Sequence, residues 1–93
     1  MDIRISQSED KDSGRIILRV EGRLTQGAAE LLEGVCTRYL HRSQTSIVIH
    51  VDGINFIGEE GAKALCRLKH LPRVQFEGCS LFTERVVEQA GRL

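Results

Sequence analysis

Residues 47–61 read IVIHVDGINFIGEEG and contain the densest apolar run of the chain. The run Ile47–Val51 is rich in β-branched residues, which favour a central strand. We predict that Asp52–Gly58 forms a turn and that a helix begins at Glu59, because acidic residues in a first turn complement the helix dipole. One face of that helix carries its apolar positions, which are Gly61, Ala64, Leu65, Leu68 and Leu71.

Two strands and a helix are predicted before this unit. Apolar and polar residues alternate over residues 2–6 and 15–21, and the polar linker SEDKDSG between them indicates an antiparallel pair. We expect Gly22 to end the second strand and Thr25 to cap a helix that reaches Arg42. A strand, a helix and a strand in succession predict a right-handed parallel crossover. The predicted inward positions of the helix are Ala28, Leu31, Leu32, Val35, Tyr39 and Leu40.

A fourth strand and a third helix follow. Val74 and Phe76 alternate with polar residues after Pro72, Gly78 ends the strand, and the last helix begins near Ser80. If helices covered both sheet faces, the second and fourth strands would be apolar almost throughout. The predicted fold is therefore α/β, or α+β-like: one domain over residues 1–93, with a four-stranded mixed β-sheet and three helices mainly on one face.

The other face of this sheet is expected to be open. It is either merely solvated or a shallow surface for a partner or for a weak homodimer. Its predicted members are Arg4, Arg19, Arg73 and Gln75 around Ile17, Val48 and His50.

Composition excludes several classes of partner. The 93 residues include 13 basic and 13 acidic side chains, so there is no net charge to attract nucleic acid. No apolar run approaches the roughly 20 residues of a membrane helix, and the charged N-terminus does not resemble a signal peptide. We therefore expect a cytoplasmic protein without direct membrane insertion. The cysteines, Cys36, Cys66 and Cys79, have no CxxC spacing and are read as buried thiols.

No catalytic, metal or cofactor site is predicted. The sequence has no GxGxxG, phosphate-loop or HExxH motif. Cys66 and His70 are four residues apart, but two ligands are too few for a zinc site. Adjacent Glu59 and Glu60 diverge by about 100° on a helix, so they do not form a catalytic pair. The expectation is a protein that is not an enzyme and has no cofactor.

Four segments carry a resemblance to a known family. They are Gly22–Leu24, Ile47–Val51, the stretch Ile54–Gly61, and residues 76–80 at the start of the last helix. Over almost its whole length the chain resembles a STAS domain, the fold of bacterial anti-sigma factor antagonists. In that family a hydroxyl directly before a glycine is phosphorylated by a kinase-like anti-sigma factor, and the phosphorylated antagonist releases that partner.

The chain departs from this pattern at the switch. Aligned on Ile57 and Gly61, it has Gly58 and Glu59 at the positions of the family's Asp and first hydroxyl residue, and Glu60 at the phosphosite. The resemblance thus implies the fold without the usual phospho-switch. Glu60 is either a favourable helix N-terminal residue or a permanent, partial substitute for the phosphate.

His50 stands where the family usually has Asp. The alternation places it on the polar face or at the strand end beside the turn. It is either a hydrogen-bonded structural residue or a pH-sensitive partner of a nearby carboxylate.

The predicted function is that of a regulatory protein-binding module resembling an anti-sigma factor antagonist, with a kinase-like anti-sigma factor or another regulatory protein as its partner. The alternative is a small STAS subunit of a transporter or lipid-trafficking ATPase assembly. Phe56 is either an anchor for the partner or a core residue. The predicted partner-binding residues are Asn55, Phe56, Gly58, Glu59, Glu60, Gly61, Lys63 and Arg67.

Overall fold

The computed structural model describes residues 3–42, 45–78 and 81–91. Their strands form a four-stranded sheet in the order β1-β2-β3-β4, with β1 antiparallel to β2 and the other pairs parallel. The predicted mixed sheet with three helices is confirmed. The elements are β1 Ile3–Asp10, β2 Arg15–Leu24, α1 Gln26–Arg42, β3 Ile47–Ile57, α2 Glu59–Lys69, β4 Val74–Glu77 and α3 Leu81–Gly91.

The core lies between the helices and one face of the sheet, as the alternation predicted. Leu18 and Val20 of β2 share this face with alternate residues of β3 and with Val74 of β4. Burial of such side chains contributes roughly 1.5–3 kcal/mol each. The remaining core members are Leu24, Ala28, Leu32, Cys36, Ile47, Ile49, Val51, Leu65, Leu68 and Val87.

The predicted turn Asp52–Gly58 is wrong, because β3 continues to Ile57. Gly22 likewise does not end β2, which runs to Leu24. The two strands lengthen together, so each supplies the hydrogen-bonding partners that the other needs. Two irregularities in their register, between Arg19 and Glu21 and between Gly22 and Arg23, absorb extra residues of β3. Gly22 has φ +105°, a conformation that glycine adopts without strain.

Three further predictions need correction or completion. β1 extends to Asp10, so the first three residues of the polar linker are strand and only residues 11–14 connect β1 to β2. Leu31 was predicted to be buried but is 40% exposed, because it lies at the margin of the apolar stripe of α1. Arg73 does not simply extend over the open face: its Nη2 donates to the Leu40 carbonyl at the end of α1, over 3.1 Å. Cys79 lies outside the described residues.

A close approach between α2 and the end of β2 sets where α2 begins. The Gly58 N–H donates to the Leu24 carbonyl, with an N···O distance of 3.1 Å. Gly61 packs against the same group: a Cβ added there would lie 2.3 Å from the Leu24 carbonyl oxygen. Any larger residue at position 61 must therefore displace the helix.

Replacing Gly61 by alanine should destabilise the fold by about 1–3 kcal/mol, the usual cost of forcing a methyl group into packed structure. Gly34→Ala is the matched control, because a Cβ on this α1 glycine meets nothing within 4 Å. Better helix propensity should make the control more stable by about 0.5–1 kcal/mol. Urea denaturation measures both. Equal effects of the two substitutions would contradict the close approach.

The Cys36 thiol offers a second test of the packing. It is buried, as predicted, and burial followed by the nearby Glu33 charge raises its pKa to about 11. The reactive thiolate is therefore scarce at pH 8, and Cys66 is less buried. Iodoacetamide should label Cys66 before Cys36 and reach Cys36 only through unfolding, as resolved by peptide mass spectrometry. Equal labelling rates in the folded protein would contradict this packing.

Candidate partner-binding site

The predicted site lies where β2 and β3 end side by side. Leu24 and Ile57 are paired at the ends of these parallel strands. Gly58 then leads directly into α2, and its carbonyl accepts the Ala62 N–H over 2.9 Å. We name the residues from Asn55 to Glu60, with Lys63 and Arg67, the turn surface. Gly61, predicted to contact the partner, is instead buried against Leu24.

Phe56 is the exposed apolar residue of the turn surface. Its exposed fraction is 42%, so Phe56 is a surface residue and not a core residue. In the strand register it lies beside Arg23, whose guanidinium carbon is 4.4 Å from the ring centroid. A cation at this distance over an aromatic face is attracted by the ring. Phe56 is thus held on the open side of the sheet.

Arg23 was not among the predicted site residues. The sequence contained a usable signal, since parallel neighbouring strands end at the same edge of a sheet. However, pairing Arg23 with Phe56 requires β3 to continue beyond Val51 and to contain extra residues. Asn55 is one of these: it falls between the pairs Gly22–Ile54 and Arg23–Phe56, and it is exposed.

The start of α2 is acidic and accessible. The side chains of Glu59 and Glu60 are 75% and 49% exposed. Lys63 Nζ lies 3.5 Å from Glu59 Oε1 and 3.7 Å from Glu60 Oε1, one helical turn away. Exposed ion pairs of this kind hold side chains only weakly. The three groups leave a net charge of about −1 where the dipole of α2 favours a carboxylate.

Arg67 faces a different neighbour. Its Nε and Nη2 donate to the two carboxylate oxygens of Glu33, over 2.9 and 2.6 Å. The hydrogen bond from Arg67 to Glu33 raises the pKa of the guanidinium. This bidentate contact joins α2 to α1. Arg67 therefore lies on the flank of α2 toward α1, although much of its side chain stays exposed.

His50 lies within the open face of the sheet and away from the turn. It is half-buried, and its neighbours in the register are Arg19 on β2 and Glu77 on β4. The expected placement on the polar face is confirmed, while placement at the strand end is wrong because β3 runs on to Ile57. Glu77 is the carboxylate closest to it in the register.

The described residues contain neither a metal-binding cluster nor a membrane-spanning helix. Over residues 3–42, 45–78 and 81–91, no three His, Cys, Asp or Glu side chains converge as a metal site would require. Within the same residues, every helix is too short or too polar to cross a bilayer.

Comparison with known proteins identifies the fold. The sequence matches no protein-family model and no curated protein. The structure is similar to the crystal structure of an anti-sigma-factor antagonist, a STAS domain from Rhodobacter sphaeroides, with a TM-score of 0.59 and 24% sequence identity. The similarity covers 82% of this chain and 86% of that one. The strand order, the one-sided helical layer and this similarity together establish that the chain has the fold of a STAS domain.

Proposed function

We propose that the chain is a non-enzymatic regulatory module that binds another protein through the turn surface, in the manner of an anti-sigma factor antagonist. The observation that carries this proposal is the exposed ring of Phe56, fixed by Arg23 beside the acidic first turn of α2. The similarity to the Rhodobacter sphaeroides antagonist supports the same kind of role.

The turn surface has the composition of a small protein interface. An aromatic side chain gives the largest gain on burial, and surrounding charged groups give specificity. Here Phe56 is the apolar group, and its ring lies against Gly58, the residue that precedes the charged first turn of α2. The proposed partner is a kinase-like anti-sigma factor or another regulatory protein, and a contact with one exposed aromatic ring among charged groups gives a weak or transient complex.

The module acts without the usual phospho-switch. Glu60 occupies the position that corresponds to the family's phosphorylated hydroxyl residue, so it offers a carboxylate and no acceptor oxygen for phosphate. A phosphate would add about −1.5 to −2 charges, and one carboxylate reproduces part of this. Lys63, 3.7 Å away, offsets a fraction of that charge. The fixed carboxylate therefore holds binding partly weakened at all times, and ATP does not control it.

Phe56→Ala should weaken binding to the cognate kinase-like anti-sigma protein by about 1–2 kcal/mol, the effect of truncating an aromatic anchor. Leu31→Ala is the matched control, because Leu31 is exposed to a similar extent, 40% against 42%, but lies on α1. Isothermal titration with each purified kinase-like anti-sigma protein of the source genome provides the measurement. Equal losses for the two variants, or no binding by the wild type, would contradict the proposed function.

Glu60→Ser tests the role of the carboxylate. If Glu60 imitates the phosphate, removing its charge should strengthen binding to the same kinase-like protein by about 1 kcal/mol, the scale of an exposed charge interaction. Glu60→Gln, which lacks both charge and hydroxyl, should bind as tightly, and only the Ser variant should lose affinity when ATP is added. Wild-type affinity should not respond to ATP. Equal affinities of wild type and Glu60→Ser would contradict mimicry.

A further inference from the structure

The outer edge of β1 is the longest open strand edge in the fold. β1 spans Ile3–Asp10 and lies at the end of the sheet, and among the described residues it pairs only with β2. β4, at the opposite end, has 4 residues. An edge strand presents backbone N–H and C=O groups that can pair with another strand. β1 is thus suited to accept a strand from outside.

Space is available beside this edge on the helical side. A groove of about 190 Å³ is lined by Gln7, Val35, Arg38 and Tyr39, and the Tyr39 hydroxyl donates to the Gln7 side-chain oxygen. A second groove of about 240 Å³ continues along Ser8 and Glu9. A strand added to β1 therefore has room for the side chains that it directs toward α1.

We propose that the β1 edge pairs with the β1 edge of a second copy of this chain, antiparallel and with Gln7 on the two-fold axis, so that two sheets join into one. In a symmetric antiparallel pair, directly opposite residues lie on the same face, so one residue of β1 must sit on the axis. With Gln7 there, Arg4 faces Asp10 of the second copy and Ser6 faces Ser8.

Charge complementarity selects this register. Within each chain Arg4 is already opposite Glu21, and Asp10 is opposite Arg15. When two β1 strands pair about Gln7, these two pairs join into one row across the four strands. The row reads Glu21 and Arg4 of one copy, then Asp10 and Arg15 of the second copy, so the sign of the charge alternates from strand to strand. The two-fold axis generates a second, identical row. Opposite charges on directly facing strands stabilise the pair.

Other registers do not pair Arg4 with a carboxylate inside β1, which ends at Asp10. With Ser6 on the axis Arg4 faces Ser8, and with Ile5 on the axis it faces Ser6. Hydrogen bonds from the Ser13 hydroxyl and the Asp12 N–H lower the pKa of Asp10, so its carboxylate remains ionised. Charges on an open edge normally discourage pairing with unrelated strands. Here they also make the edge complementary to itself.

Sedimentation equilibrium tests the surface. We expect a weak, reversible dimer for the wild type. The dissociation constant should be about tenfold higher for Arg4→Asp, because the new carboxylate at position 4 of each copy then faces Asp10 of the other. Arg4→Lys keeps the charge and should retain the dimer. Arg19→Asp is the control for the open sheet face and should leave dimerisation unchanged. A chain that stays monomeric at millimolar concentration, or a dimer lost in Arg19→Asp but kept in Arg4→Asp, would overturn the proposal.

Cross-linking tests the register. Ser6→Cys and Ser8→Cys chains, mixed in equal amounts, should form a mixed-disulfide dimer on mild oxidation, because positions 6 and 8 face each other only when Gln7 is on the axis. Each variant alone should cross-link far less, and the wild type controls for the native cysteines. Preferential cross-linking of Ser6→Cys or of Ser8→Cys with itself, or none in the mixture, would overturn this register.

Discussion

The geometry of the turn depends on the contacts of the Leu24 carbonyl with Gly58 and Gly61. This carbonyl accepts the Gly58 N–H and lies against the α-carbon of Gly61, so the end of β2 is fixed to the first turn of α2. Because this contact leaves no space for a side chain at position 61, α2 cannot begin elsewhere without unpairing that carbonyl. The positions of Phe56, Glu59 and Glu60 at the surface follow from it.

Most of the fold could be predicted from local patterns, and most of the errors come from pairing between strands. Alternation in β2 and β4 correctly gave a sheet with helices on one face, since that pattern depends on each strand alone. The extent of β3 could not be predicted in this way, because residues 52–57 become strand only where β2 continues beside them. Gly22 was predicted to end β2. Instead it has a positive φ within β2, next to an irregularity in the strand register.

The candidate site illustrates the same limit. Its location at the start of α2 could be predicted, because glycines and acidic residues mark that turn in the sequence. The contacts could not: Arg23 reaches Phe56 through the strand register, and Arg67 reaches Glu33 through the packing of α1 against α2. Both contacts join residues far apart in the sequence, and an arginine gives no local indication of which distant group it will meet.

The neutral total charge conceals an organised distribution. Glu33 is paired with Arg67 between helices, and Arg4 and Asp10 each face an opposite charge across β1 and β2. The start of α2 gathers more acid than base close to an exposed aromatic ring. β1 and this turn are separated by β2, so a strand joined at β1 does not cover the turn. A dimer formed there exposes two turn surfaces, and two weak contacts that engage a two-fold partner together bind more tightly than either alone.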